Sequence, residues 1–279
     1  MDNETINNLK QTELMMLRAF ILCCDRLGLK YYMLGGSMLG AVRHNGFIPW
    51  DDDIDVGMLR EDYEVFLERG QEFLPDYYFL QSLYSEKDIL FNYAKIRDSR
   101  TTFIESSIKK AKINHGVYID VFPLDYYPDN EHLQKEFDKK RRVLGWRIRK
   151  EFTLPKQNQD NILKETGRKI LGSLLWFKYP TVRKAIEERE LLFKSFSSSR
   201  MIANYCGAWG KKEIVPLEWY GPGRIVEFEG LNVRIPSQAE NWLSQVYGDY
   251  MKLPPEEKRT VHHYAETIDL EKPYTYYLM

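Results

Sequence analysis

The residues best suited to chemistry stand together at Trp50-Asp51-Asp52-Asp53-Ile54-Asp55. Side chains alternate faces along an extended chain, so Asp53 and Asp55 point the same way, joined by Asp51 if the extended run begins early enough. Carboxylates aimed at one point repel unless a cation lies between them, and hard oxygen ligands select Mg2+, Mn2+ or Ca2+ over zinc. Ile54, Val56 and Met58 occupy the opposite face, which sets this strand partly inside the protein, where unpaired carboxylates are costly. Shortly before it, Gly35-Gly36-Ser37 lies between a strand and a helical turn, a place where backbone N–H groups and a helix N-terminus can hold a phosphate. A third carboxylate, Asp120, interrupts the apolar run Val117-Tyr118-Ile119-Asp120-Val121-Phe122 and calls for a partner. A phosphate cradle followed by paired carboxylates is the layout of metal-assisted phosphoryl-type transfer.

The elements that must position these groups are legible from periodicity. Leu14, Leu17, Ile21 and Cys24 recur at steps of three and four, which predicts a helix over 4–27. Strands are predicted at 31–34, in the latter half of 50–58, and at 78–83, 91–97, 101–105 and 117–122, the last closed by Pro123; a helix is predicted from Arg60 to Gly70. Beyond Asn130 the Lys and Arg residues are spaced among Leu, Ile, Trp and Phe at helical intervals, with breaks near Pro155 and Pro180. Glu229-Gly230 marks a hairpin between 224–228 and 231–235, and Ser237 is placed as the cap of a helix reaching Tyr247. The pattern is α/β (α+β): a mixed sheet flanked by helices (1–127), a basic helical insertion (128–200), and a C-terminal hairpin and helix (201–279) packed back on the core.

Residues 34–58 (LGGSMLGAVRHNGFIPWDDDIDVGM), 115–125 (HGVYIDVFPLD) and 247–263 (YGDYMKLPPEEKRTVHH) closely resemble the LicD family and, through it, the nucleotidyltransferase fold. Members of that family and the related fukutin-related proteins move a phosphorylated alcohol from a CDP-activated donor to a glycan hydroxyl. The resemblance therefore implies transfer of phosphocholine from CDP-choline to a teichoic acid, lipopolysaccharide or capsule precursor, with release of CMP. It implies Mg2+, or Mn2+, on Asp53 and Asp55, with Asp120 as general base or third metal ligand, and the diphosphate cradled by Gly35, Gly36 and Ser37. It also implies a substrate-facing Arg43. Two alternatives stay open: another CDP-alcohol (ribitol, glycerol or ethanolamine), or an NTP-dependent nucleotidyltransferase that releases diphosphate. A silent scaffold protein fits poorly, because it has no physical reason to retain converging carboxylates.

Further candidates follow from the residues themselves. Lys95 and Arg97 share one strand face and are placed either beside the donor phosphates or as surface residues of an edge strand. A choline headgroup is recognised by aromatic faces, and Trp50, directly before the acidic run, is expected near the site. Tyr31, Tyr32, Trp209, Trp219 and Tyr220 are not distinguished from one another. Of the pair His262 and His263, the second is a candidate substrate contact.

Composition bounds the rest. The chain has 279 residues, with 40 Lys+Arg against 41 Asp+Glu, so no strongly basic nucleic-acid binder is expected. That balance conceals a division: residues 128–200 hold eighteen Lys+Arg and ten Asp+Glu, while the remainder is acidic. Lys139-Lys140-Arg141-Arg142 in this region suggests contact with an anionic membrane surface. No run of about 18 apolar residues and no leader pattern is present, which points to the cytoplasm, with peripheral contact at the inner face of the membrane. Three cysteines without CxxC spacing, Cys23, Cys24 and Cys206, are read as reduced core thiols.

Overall fold

The structure, a computed structural model, describes residues 3–149, 166–167, 170, 177, 179–259 and 265–278. Helix α1 (Asn3–Leu27) leads into β1 (Tyr32–Met33), α2 (Gly35–His44), β2 (Asp55–Leu59) and α3 (Arg60–Arg69). There follow β3 (Tyr78–Gln81), β4 (Ala94–Asp98), β5 (Thr102–Glu105) and β6 (Val117–Tyr127). Helices α4 (Glu131–Arg149) and α5 (Val182–Phe193) precede β7 (Met201–Ala203) and β8 (Ile214–Pro216). The chain continues through β9 (Arg224–Phe228), β10 (Leu231–Ile235), α6 (Ala239–Tyr247) and β11 (Ala265–Asp269).

The mixed α+β sheet runs β1-β2-β6-β4-β3, with β7 and β8 added beside the far end of β6. Only β2 and β6 are parallel, and their register sets Asp55 opposite Asp120. Strand β6 is the spine: ten of its eleven residues are buried, because helices α1 and α3 pack against it. A strand covered on both faces reads as a near-continuous apolar run, as this one does. The strand does not close at Pro123. The Asp120 N–H points to β2, donating to the Ile54 carbonyl at 2.9 Å, so by alternation position 123 faces the other edge. There β4 has ended at Val121 and β7 begins only at Asp125, so a residue without an N–H loses no partner.

Other expectations shift in register or partner. Strand β5 does not extend the main sheet but pairs antiparallel with β11, close to the other end of the chain. Strand β4 begins at Ala94 rather than Phe91, and it is an interior strand between β6 and β3. The buried stripe of α1 is Leu9, Glu13, Met16, Leu17, Phe20, Cys23 and Cys24, rotated from the predicted face so that Leu14 and Ile21 flank it. The hairpin β9–β10 has the predicted bounds, with Glu229 and Gly230 both at positive φ. Ser237 does not cap α6: its hydroxyl accepts the Gly223 N–H at 3.0 Å, and Gln238 holds the cap position.

Among the described residues two larger cores organise the chain, beside a small cluster of Ile89, Phe91, Ile108 and Ile113. The larger joins α1, the sheet, the β9–β10 hairpin and α6, so the C-terminal segment shares the interior of the part that ends at Tyr127. The smaller, around Phe137, Leu144, Ile186 and Phe193, joins α4 and α5 to the end of β6. Arg60 bolts the two together, with a forked contact to Asp125 (2.6 and 2.7 Å) and a third bond to Glu190 of α5 at 2.7 Å. In the basic tetrad Lys139, Lys140 and Arg142 are exposed or partly so, while Arg141 lies 3.7 Å from Asp138. Among the described residues no helix is long and apolar enough to cross a membrane. The three cysteines are free, Cys23 and Cys24 buried and Cys206 partly so.

Candidate active site

The acidic segment is fastened from three sides. Lys10 of α1 reaches across to donate to the carbonyls of Ile48 and Pro49, at 3.2 and 3.1 Å, which fixes the loop entering the acidic run. Ser37 accepts the Asp55 N–H on its hydroxyl at 2.8 Å, and the Leu34 N–H donates to the Asp55 carbonyl at 2.9 Å. Helix α2 begins at Gly35, earlier than the predicted turn, because Leu34 is extended and its carbonyl accepts the Met38 N–H. The two glycines are there for close approach. A Cβ on Gly36 would collide with Asp51 Oδ2, and one on Gly35, whose φ is +51°, would lie 3.1 Å from Asp55 Oδ2. The carboxylates thus press against a helix N-terminus, whose partial positive charge favours them.

Asp51, Asp53 and Asp55 line a cleft of about 830 Å3, together with Gly36, Arg43 and Trp50. Trp209, Tyr247, Tyr250 and the segment Lys252–Pro255 complete the lining. Trp209 meets Tyr247 edge-on at 5.0 Å, and burial, reinforced by nearby Asp55 and Asp51, pushes the Tyr247 hydroxyl well above its ordinary pKa. Arg43 spans the cleft floor, donating to the Tyr250 carbonyl at 2.5 Å, and Arg259 lies 5.3 Å over the Trp50 ring. Among the described residues, the carboxylate oxygens that converge within 4.8 Å of one another are those of Asp51, Asp52 and Asp53. Asp55 and Asp120 adjoin this group through the β2–β6 register. Glu13 of α1 is buried under the same cluster: desolvation first, then Asp53, Asp52, Asp51 and Asp120, raise its pKa well above the usual carboxylate range.

Asp120 faces a different neighbour. Lys95 sits opposite it in the β4–β6 register, donates to its Oδ1 at 2.7 Å, and lies 3.3 Å over the Tyr118 ring. Arg97 shares that face but is fully buried. It donates to Gln81, to the Gly116 carbonyl and to Glu105, and therefore braces the strands rather than opening on the large cleft. Neither cation is a surface residue of an edge strand, since β4 is interior. His262 and His263 lie outside the described residues.

Sequence reasoning passed over Glu13 and Tyr247 and left Trp209 undistinguished among five aromatic residues. Glu13 had a visible signal, a carboxylate in the stripe between Leu9 and Leu17. The other two are brought to the aspartates only by the fold.

Over 262 residues the chain is 32% identical to the lipopolysaccharide cholinephosphotransferase LicD of Haemophilus influenzae, an alignment covering 91% of this chain and 94% of that protein. The protein belongs to the LicD family. The family described as LicD/FKTN/FKRP, nucleotidyltransferase domain, matches residues 28–160. The human ribitol 5-phosphate transferase FKRP is 33% identical over 114 residues, 40% of this chain and 20% of that protein. An uncharacterised protein of Rickettsia prowazekii is 34% identical over 102 residues, covering 37% of this chain and 35% of that protein. This LicD-family chain is accordingly a transferase. The matched segment 28–160 carries the aspartates, Lys95 and Asp120, whereas the aromatic wall at Trp209, Tyr247 and Tyr250 lies beyond it.

Proposed function

We propose that the protein transfers phosphocholine from CDP-choline to a hydroxyl of a cell-surface glycan and releases CMP. The observation that carries this reading is the large cleft, lined by Asp51, Asp53 and Asp55 together with Trp50, Trp209, Tyr247 and Tyr250. A quaternary ammonium is attracted to aromatic faces and to carboxylates, and a diphosphate requires charge neutralisation, so one cleft suits both ends of the donor. The lipopolysaccharide cholinephosphotransferase that aligns with nearly the whole chain supports the same substrate class.

Asp53 and Asp55 suit a Mg2+ or Mn2+ ion by donor type, and Asp53 converges with Asp51 and Asp52; such an ion, when bound, would neutralise charge on the donor diphosphate. The first turn of α2, with Ser37 locking Asp55, orients the carboxylates. Arg43 faces the donor from the cleft floor. The acceptor oxygen forms a bond to the choline-bearing phosphorus as the bond to the CMP oxygen breaks, and Asp120 takes the hydroxyl proton. In-line displacement asks mainly for positioning, which rigid strands provide.

The test is a donor screen with the full chain and Mg2+. CMP release from CDP-choline in preference to CDP-ribitol, CDP-glycerol and CDP-ethanolamine is expected; diphosphate release from an NTP would overturn the reading. Asp53→Asn should lower CMP release by about a thousandfold while circular dichroism stays unchanged, as removal of an electrostatic group at a reacting phosphate does.

A further inference from the structure

Beside the Lys95–Asp120 contact lies a smaller cleft of about 300 Å3, lined in part by Lys95. Its lining includes Phe91, Tyr93, Lys95, Glu105, Ser107 and Arg189. The charges there are accounted for except one. Lys95 is paired with Asp120, and Glu105 with Arg97 at 3.3 Å. Arg189 donates to the neutral Oδ1 of Asn92 at 2.6 Å and, among the described residues, has no carboxylate at ion-pair distance. Its chain neighbour Glu190 is already held by Arg60 at 2.7 Å, by Lys194 at 3.4 Å and by Asn92 Nδ2 at 2.9 Å. Burial pulls the Arg189 guanidinium below its ordinary pKa, as expected for a cation withdrawn from water without an anion beside it. Such a group gains strongly from a bidentate anion.

We infer that this cleft is the acceptor subsite and takes a hydroxylated ring carrying a negative group, phosphate or carboxylate, anchored on Arg189. The inference rests on the transferase reading above and adds the acceptor's chemical class. Phe91 and Tyr93 line the cleft as tilted rings, their centroids 4.7 Å apart and their planes 32° from parallel, an aromatic surface that suits the apolar face of a sugar ring. Ser107 supplies a hydroxyl at the rim, and Lys95 places the ring beside Asp120. Because α5 carries Arg189, the basic insertion contributes a substrate contact as well as surface charge.

The experiment measures binding of glucose 6-phosphate, glucuronate and glucose to the full chain by calorimetry, alongside CMP release from CDP-choline with water as acceptor. Expected is binding of at least one charged sugar, at least tenfold tighter than glucose, weakened at least tenfold by Arg189→Gln and less by Arg189→Lys. Ser107→Trp, which fills the cleft, should abolish that binding, while the circular dichroism spectrum of all three variants stays that of the wild type. Failure of both charged sugars to bind, equal binding of glucose, or insensitivity to both Arg189→Gln and Ser107→Trp overturns the inference. If Arg189-dependent binding is found but no CMP is ever released, the cleft assignment stands and the CDP-choline reading falls.

Discussion

Strand β6 carries two buried ion pairs, at Asp120 and Asp125, and they are built for different work. At Asp125 the partner is Arg60, whose planar fork makes two parallel bonds of 2.6 and 2.7 Å and a third to Glu190. At Asp120 the partner is Lys95, a point charge with one contact to that carboxylate at 2.7 Å, lying over the Tyr118 ring and within 5.6 Å of the Phe91 and Tyr93 centroids. A guanidinium fork fixes geometry, whereas an ammonium on a four-carbon stem can turn its donors toward an arriving group. The first pair joins the two larger cores, and in the second Lys95 lines the smaller cleft while Asp120 stands in register with Asp55, which lines the larger one. Equal burial on one strand therefore separates a joint from a site by the type of cation alone.

The contrast can be broken most directly at the joint. Arg60→Met should destabilise the protein by about 3–5 kcal/mol, since it leaves Asp125 buried without its cation and Glu190 with Lys194 alone. Activity per folded molecule should change less than threefold, and denaturant titration with parallel CMP assays measures both. Lys95→Met should do the converse, lowering turnover about a hundredfold at a smaller cost in stability, and Lys95→Arg should not restore it, because a planar fork does not reproduce the ammonium's place over Tyr118. Equal losses of activity in the Arg60 and Lys95 variants would erase the distinction.

A smaller effect concerns a carboxylate that, among the described residues, has no cation at ion-pair distance. Glu213, buried behind Trp209, accepts the Trp209 N–H at 2.8 Å, and burial raises its pKa to about 7. The folded state therefore holds a proton that the unfolded chain releases near pH 4.5, so this group's contribution to stability falls as pH rises from there to about 7 and is level above it. Glu213→Gln removes that slope. Its melting temperature should gain on the wild type by a few degrees between pH 5 and pH 8, measured by calorimetry. The smallest effect is expected at Trp50→Phe, a rise of about threefold in KM for CDP-choline with kcat unchanged, because an aromatic face remains but a smaller one.

What the sequence disclosed follows the range of the forces involved. The pattern of Asp51, Asp53 and Asp55 against Ile54 and Val56 is local, and the first three line the cleft while the other two are wholly buried; yet β2 begins only at Asp55, and Asp52 converges with Asp51 and Asp53, which strand alternation does not foresee. The β9–β10 hairpin was legible because a Glu-Gly turn at positive φ is encoded in adjacent residues. Partners were not. That β5 joins β11, and that Trp209 and Tyr247 share a cleft with the aspartates, depends on side chains from opposite ends of the sequence, and neither aromatic differs locally from a core ring. Lys95 and Arg97 share a face as strand geometry requires, but their separate partners, Asp120 and the Gln81–Glu105 pair, come from neighbouring strands.

The division of the large cleft between an early and a late part of the chain has a consequence for synthesis on the ribosome. The acidic part of its lining and β6 are complete once the chain has reached Tyr127, whereas the rest comes from Trp209 and from 247–255. Pairings of such sequence separation form slowly, because loop closure precedes their reward. The nascent protein can therefore assemble its sheet and its aspartates well before it has anything to hold a donor against them. Competence to bind arrives in a single late step, when the segment after Tyr250 leaves the exit tunnel and β11 adds to β5.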